Sequence, residues 1–188
     1  ARRSYIMVTV SERKRRAGVL YSKIQVIRKL LIGAAALAVA ICITIFIREN
    51  MDVNDPERAL PSITITMNGA TAMAPEMIFR AGYEWNFLTT TAKDTPPYSS
   101  QDLQTRTPPV EMLARTYMDI IFSREPKHLT ISRSDEENFD AFLELVDAAE
   151  GPIIAPATPG VYMYRVQADF GWRGSIVYFF RIRVQAGG

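Results

Sequence analysis

Between Leu30 and Ile47 the chain runs for 18 residues, LLIGAAALAVAICITIFI, without a charge and with Thr44 as its one polar side chain. A helix rises 1.5 Å per residue, so this run covers about 27 Å, close to the hydrocarbon thickness of a bilayer. A core helix of a soluble domain keeps a polar face, and this run has none. The pattern predicts a transmembrane helix over 30–47. Such a helix cannot contribute to the core of a water-soluble domain, so the rest of the chain must fold on either side of it.

The flanks differ in charge. Nine Lys and Arg precede Leu30 against the single acid Glu12, while 13 basic and 19 acidic residues follow Ile47. Positive charge favours the cytoplasmic side, which predicts a basic cytoplasmic tail over 1–29 and an extracytoplasmic remainder. The cluster ERKRR at 12–16 reads as part of that topogenic signal and suits the anionic headgroups of membrane lipid; no nucleic acid is expected as a partner. Ala36-Leu37-Ala38 and Ala38-Val39-Ala40 resemble cleavage sites, but cutting there would leave too short an apolar region before them. The residues before Cys42 lack the small side chain expected ahead of a lipidated cysteine. A retained signal anchor is the expectation. Cys42 is the only cysteine, so the outer part holds together without an internal disulfide, which fits a bacterial cell membrane.

Residues 48–61 are polar and rich in turn formers, and read as a linker before a domain at 62–186. Ile63, Ile65 and Met67 alternate with threonines up to Asn68-Gly69, a strand and a turn. Tyr83, Trp85 and Phe87 line one face of a second strand. Residues 89–110 carry two Pro-Pro pairs and read as a long loop. Strand patterns resume in MLARTYMDIIF and, after Ser123-Arg124-Glu125-Pro126, in residues 127–132. Over 134–149, Ser134 with Glu137 forms a capping-box pattern and Phe139, Phe142, Leu143 and Val146 recur at helical spacing, which points to a short helix, while Phe142 to Val146, amid short strands, could instead pair as a strand.

The clearest element is the hairpin VYMYRVQADFGWRGSIVYFFRIRV at 161–184. Tyr162, Tyr164, Val166, Ala168 and Phe170 share one face of its first strand. Ile176, Tyr178, Phe180, Ile182 and Val184 share one face of the second, and Gly171 and Gly174 mark the turn. Seven or so short strands ending in this hairpin predict an all-β fold, an immunoglobulin-like antiparallel β-sandwich preceded by one N-terminal transmembrane helix.

Gly160, Tyr162, Tyr164, Val166, Ala168, Gly174, Tyr178 and Phe180 resemble the last hairpin of uncharacterised Gram-positive cell-envelope proteins, with Phe170 where that pattern has tryptophan. GYEW at 82–85 and the Arg-Glu-Pro turn are similar too. The resemblance implies a membrane anchor and an immunoglobulin-like outer domain, and it implies no activity.

Catalytic chemistry finds little support. His128 is the only histidine, sits beside Lys127 in a strand pattern, and has no nucleophile motif near it. Cys42 lies in the apolar run. Lys93 and Lys127, the only lysines after Ile47, follow no serine element suited to a Ser-Lys pair. Asp135, Glu136, Glu137 and Asp140 lack the spacing and glycine of a calcium loop and suit a helix N-terminus instead. No enzyme activity, metal or cofactor is expected.

Carbohydrate or protein contact would use exposed aromatics, for which Tyr98, Trp172 and Phe179 are candidates, unless a helix or loop covers the second face of the hairpin and buries it too. The candidate partner-binding residues are Trp172, Arg173, Phe179, Arg181 and Arg183, at the tip and outer face of the hairpin. Gly33, Ala36 and Ala40 give the apolar helix a small-residue face for helix packing. The expected function is a non-enzymatic single-pass membrane protein whose outer domain binds another protein or an envelope component. The alternative is an accessory subunit docked through its transmembrane helix.

Overall fold

The computed structural model describes residues 2–135, 139, 141–146 and 151–185, with residues 2–22 and 135 described by backbone course only. The chain forms two compact units, 1–51 and 52–188. Helix α1 (Arg2–Asn54) is 53 residues long and spans about 80 Å at 1.5 Å per residue. It far exceeds the apolar run because no proline occurs before Pro56 and most of its residues are tolerant of helix. Within it, Lys23–Asn54 is long and apolar enough to cross a membrane, and none of the side chains of its apolar window is buried. Thr44 Oγ1 donates to the Ala40 carbonyl at 2.9 Å, which satisfies the one polar side chain of the run inside the helix.

The expected linker at 48–61 is therefore mostly ordered. Residues 48–54 continue α1, and Pro56–Ala59 form a short helix α2 with Pro56 in its first turn. Val53 and Ala59 pack against the β core and Leu60 is buried in it. Glu57 pairs with Arg80. Apolar side chains spaced among the charges tie this segment down, although no sustained period announces them.

Among the described residues eleven strands follow. The smaller sheet has the order β2 (Ala70–Met73), β1 (Ile63–Met67), β6 (Tyr117–Phe122), β9 (Ile153–Ile154). The larger has β4 (Thr91–Asp94), β3 (Phe79–Asn86), β11 (Gly174–Gln185), β10 (Gly160–Asp169), β7 (His128–Asp135), β8 (Leu143–Glu144). All these pairs are antiparallel. The exception to the antiparallel expectation is β5 (Pro109–Leu113), which runs parallel to the last residues of β11. β3 holds the first half of the same edge of β11. Asn68 and Gly69 both take positive φ in the β1–β2 turn, as a two-residue hairpin requires.

Ile63, Ile65, Met118 and Ile153 from the smaller sheet share one core with Trp85, Ile131, Tyr164, Ile176, Phe180 and Ile182 from the larger. Two sheets around a common core are consistent with a β-sandwich. Tyr164 and Phe180 are cross-strand partners whose rings stack at 4.8 Å. Every residue assigned above to the inner face of the terminal hairpin is in this core.

The other face of the larger sheet is also buried. Ala81, Val161, Met163 and Phe179 form a second cluster with Leu103 and Phe139. Leu103 comes from helix α3 (Ser100–Arg106), inside the stretch expected to be a loop. Ser99 caps α3: its Oγ accepts from the Asp102 N–H at 3.1 Å, and Asp102 Oδ2 accepts from the Ser99 N–H at 3.1 Å. Pro108-Pro109 then fits because Pro109 is the first residue of a strand, where a missing N–H costs least.

The helix expected over 134–149 is not formed by its described residues. Ser134 and Asp135 end β7, where Ser134 lies opposite Met163, and Leu143–Glu144 are strand β8. Glu136, Glu137 and Asp140, part of the acidic cluster and of the capping pattern, lie outside the described residues. Ser134 pairs with β10 and Leu143–Glu144 pair with β7, and this strand pairing overrides the local helical spacing.

Candidate functional site

The β10–β11 turn is built by two glycines. Asp169 Oδ1 accepts from the Gly171 N–H at 2.6 Å, and the Phe170 N–H reaches the Gly174 carbonyl at 2.8 Å. Between them Gly171–Arg173 make one 3-10 turn. Gly171 has φ +69° and Gly174 φ +108°, and a side chain at Gly174 would collide with the Glu84 carbonyl. Only glycine takes both the backbone region and the close approach of β3.

That approach sews the tip to the end of β3. Asn86 Nδ2 donates to the Trp172 carbonyl at 2.8 Å, while Thr91 Oγ1 donates to Asn86 Oδ1 at 2.7 Å and fixes the amide. Arg173 Nη1 donates to the Asn86 carbonyl at 3.1 Å, and its guanidinium lies 4.1 Å from the centre of the Trp172 ring. The cation thus covers part of the indole and holds it against the turn. Trp172 is still 57% exposed, so a large aromatic is presented to solvent on a braced backbone.

Pairing registers bring further residues to this end. His128 opens β7 opposite Asp169, and the Lys127 N–H donates to the Asp169 carbonyl at 2.6 Å. The Lys127 stem lies over Gly171, where any side chain would clash with it. Arg124, in the turn before β7, sets its guanidinium 5.8 Å from the Trp85 ring centre. The β3–β4 turn, closed by the Phe87 N–H to the Thr90 carbonyl at 2.8 Å, exposes Leu88. A cavity of about 260 Å³ opens between the sheets, lined by Asp119, Phe122, Glu125, Lys127, Leu129 and Ile153 among others. Arg124, Lys127, Asn86 and Leu88 were not singled out by the sequence, because only long-range strand register places them beside Trp172.

Three expected contact residues have other roles. Phe179 is 8% exposed and packs edge-on to Phe142 at 5.8 Å, so it belongs to the second core cluster and not to the surface. Arg181 is half-buried and donates through Nε to the Thr107 carbonyl and through Nη2 to the Gln104 carbonyl, each at 2.6 Å. It satisfies the carbonyls at the C-terminal end of α3 and pins that helix over the sheet. Arg183 Nη1 pairs with Glu111 Oε1 at 3.2 Å, across the β5–β11 pair. Tyr98, another aromatic candidate, packs edge-on to Phe79 at 5.0 Å with Arg106 stacked on both rings. Trp172 and Arg173 keep the expected position at the tip, and Arg183 stays exposed on the outer face.

His128 is exposed at the start of its strand, and Lys93 pairs with Glu84 at 3.2 Å. Among the described residues no three of His, Cys, Asp and Glu come together as metal ligands. On α1, Gly33, Ala36 and Ala40 fall within about 60° of one another at 100° per residue, and a Cβ on Gly33 would meet nothing within 4 Å. Burial raises the phenol of Tyr164 to about 12 against the pull of the Arg133 guanidinium. Burial likewise raises Tyr178, whose hydroxyl donates to the Pro61 carbonyl. Both tyrosines are neutral structural groups in the core. The chain matches no family model, no curated protein and no solved structure.

Proposed function

We propose that this is a non-enzymatic, single-pass membrane protein of the cell envelope. Residues Lys23–Asn54 would span the membrane, with the N-terminus cytoplasmic. The β-unit would lie outside as an immunoglobulin-like module that binds a protein or an envelope component through its Trp172 tip. The observation that carries the binding reading is the braced but exposed Trp172, held by Arg173 and Asn86 while the other aromatics of the hairpin serve two cores. A side chain that is rigid, aromatic and open to solvent has little conformational entropy left to lose on contact. The anchoring reading is supported by an uncharged run none of whose side chains is buried among the described residues. The resemblance of the hairpin to those of Gram-positive envelope proteins agrees with both.

Alkaline carbonate washing of native membranes tests the anchor, which should stay in the pellet; release into the supernatant contradicts it. Photo-crosslinking from position 172 tests the tip, since a module that binds through it should give adducts there and none from position 183.

The alternative, a subunit docked through its helix, has one specific observation in its favour. Gly33, Ala36 and Ala40 form a narrow small-residue face on which another helix can approach closely. Ala36→Leu with Ala40→Leu would then abolish co-purification with a membrane complex at unchanged expression.

A further inference from the structure

The contacts of the tip identify the chemistry that suits it. Two exposed apolar side chains, Trp172 and Leu88, stand at the same end of the β-unit as the exposed cations Arg124 and Lys127. Opposing charge at this end comes from Glu125, from Asp119 across the cavity from Lys127, and from Asp169, whose carboxylate is already bound to the Gly171 N–H. Indole and aliphatic side chains beside Lys and Arg form the composition that settles at a membrane–water interface, where the ring sits at headgroup level and the cations meet phosphates.

Strand register says which end this is. Ile63, the first residue of β1, pairs with Phe122, the last of β6. Ser62 and Ser123 exchange two hydrogen bonds of 2.9 Å, Ser123 N–H to the Ser62 carbonyl and Ser62 N–H to Ser123 Oγ. The turn after Ser123 leads to Lys127, which is bonded to Asp169 beside the tip. Ile63 therefore begins β1 at the end that carries Trp172, while Glu57 and Pro61 before it contact Arg80 and Tyr178 further along the larger sheet. Only residues 48–62 separate Ile47 from β1, and most of them are helical. A tether this short keeps the β-unit at a high effective concentration near any bilayer that holds the helix.

We infer that the end of the β-unit formed by Trp172, Leu88, Arg124 and Lys127 docks on the headgroup layer of an anionic phospholipid bilayer. Trp172 and Leu88 enter the interface, Arg124 and Lys127 face the phosphates, and Arg173 positions the indole. This rests on the reading of Lys23–Asn54 as a membrane span and names one envelope component for the site proposed above.

The chain has two tryptophans, and Trp85 is 1% exposed, so Trp172 supplies the solvent-accessible fluorescence. The full chain is placed in lipid nanodiscs of pure phosphatidylcholine or of phosphatidylcholine with phosphatidylglycerol, with Trp172→Phe as the background. In anionic discs Trp172 emission should shift to the blue and lose its quenching by acrylamide, and bromine-labelled acyl chains should quench it instead. High salt and the double variant Arg124→Glu, Lys127→Glu should each restore acrylamide quenching. Equal acrylamide access in neutral and anionic discs overturns the inference, and so does shielding produced by free inorganic phosphate in neutral discs. The anchor is checked on the same protein, reconstituted into vesicles of the same lipids, by alkaline washing. A chain stripped from the lipid fails both readings, whereas an inserted chain with open Trp172 fails the docking alone.

Discussion

Trp172 and Phe179 belong to one hairpin and both looked like surface aromatics, yet one is 57% exposed and the other 8%. The difference is made by residues far away in sequence. Leu103 of α3, Phe139 and Phe142 pack with Phe179, and Arg181 fastens α3 there by bonding its last carbonyls. Among the described residues nothing comparable covers Trp172, where the neighbours Asn86 and Arg173 brace the ring without enclosing it. Alternation along a strand tells which side chains share a face, and leaves open what lies on that face.

Truncation is the strongest way to break this contrast. Phe179→Ala should cost about 3–5 kcal/mol, as for a buried aromatic; Trp172→Ala should change stability by no more than about 0.5 kcal/mol, as for an exposed site. Urea unfolding of both variants measures the difference, and similar costs would mean that the tip is part of the core. Gly174→Ala comes next, at about 3 kcal/mol, because it adds backbone strain at positive φ to a collision with the Glu84 carbonyl. Its midpoint in thermal unfolding should fall well below that of the parent.

Arg181→Ala should cost about 1.5–3 kcal/mol, the range for charged hydrogen bonds to groups left partly buried. Hydrogen exchange should then speed up in α3 before it does in β10. If the α3 amides are unaffected, the helix is held by Leu103 alone.

Alkaline pH sharpens the contrast between buried and open aromatics. The folded pKa of Tyr164, about 12, lies above the usual tyrosine value near 10. The folded state therefore keeps a proton that the unfolded state gives up. Its contribution to stability is complete below pH 10 and is lost as pH rises from 10 through 12; Tyr178 acts in the same direction. Tyrosinate absorbance should show Tyr164 and Tyr178 ionising only as the β-unit unfolds. Arg183→Ala is the smallest change, below about 1 kcal/mol, since Arg183 and Glu111 are both half-exposed.

The inner faces of the terminal hairpin, the β1 alternation and the Tyr83-Trp85-Phe87 face were all legible, because period-two burial is a local signal. The apolar run was legible too, although α1 outlasts it in both directions where nothing breaks the helix. The Ser99 to Asp102 spacing is a cap signal sufficient to place α3, but the Pro-Pro pairs around it suggested a loop. Ser134 and Glu137 show the converse, a cap pattern that pairing with β10 overrides. The parallel contact of β5 with β11 has no local signal, since it depends on β3 leaving half of that edge free. Of the candidate site, Trp172 and Arg173 were visible in the turn sequence. Arg124, Lys127 and Leu88 join them only once the β7–β10 and β3–β11 registers are set.

The single cysteine allows one direct measurement of topology and exposure together. Cys42 would lie within the hydrocarbon layer, so it should not react with a membrane-impermeant maleimide. In intact cells at high salt, which releases the tip from the headgroups if it docks there, Trp172→Cys should label at once. Phe179→Cys should label only after denaturation, and Arg15→Cys only after the membrane is opened. Labelling of position 15 in intact cells with protection of position 172 would contradict the proposed orientation, and equal labelling of 172 and 179 would contradict the assignment of the tip as the open face.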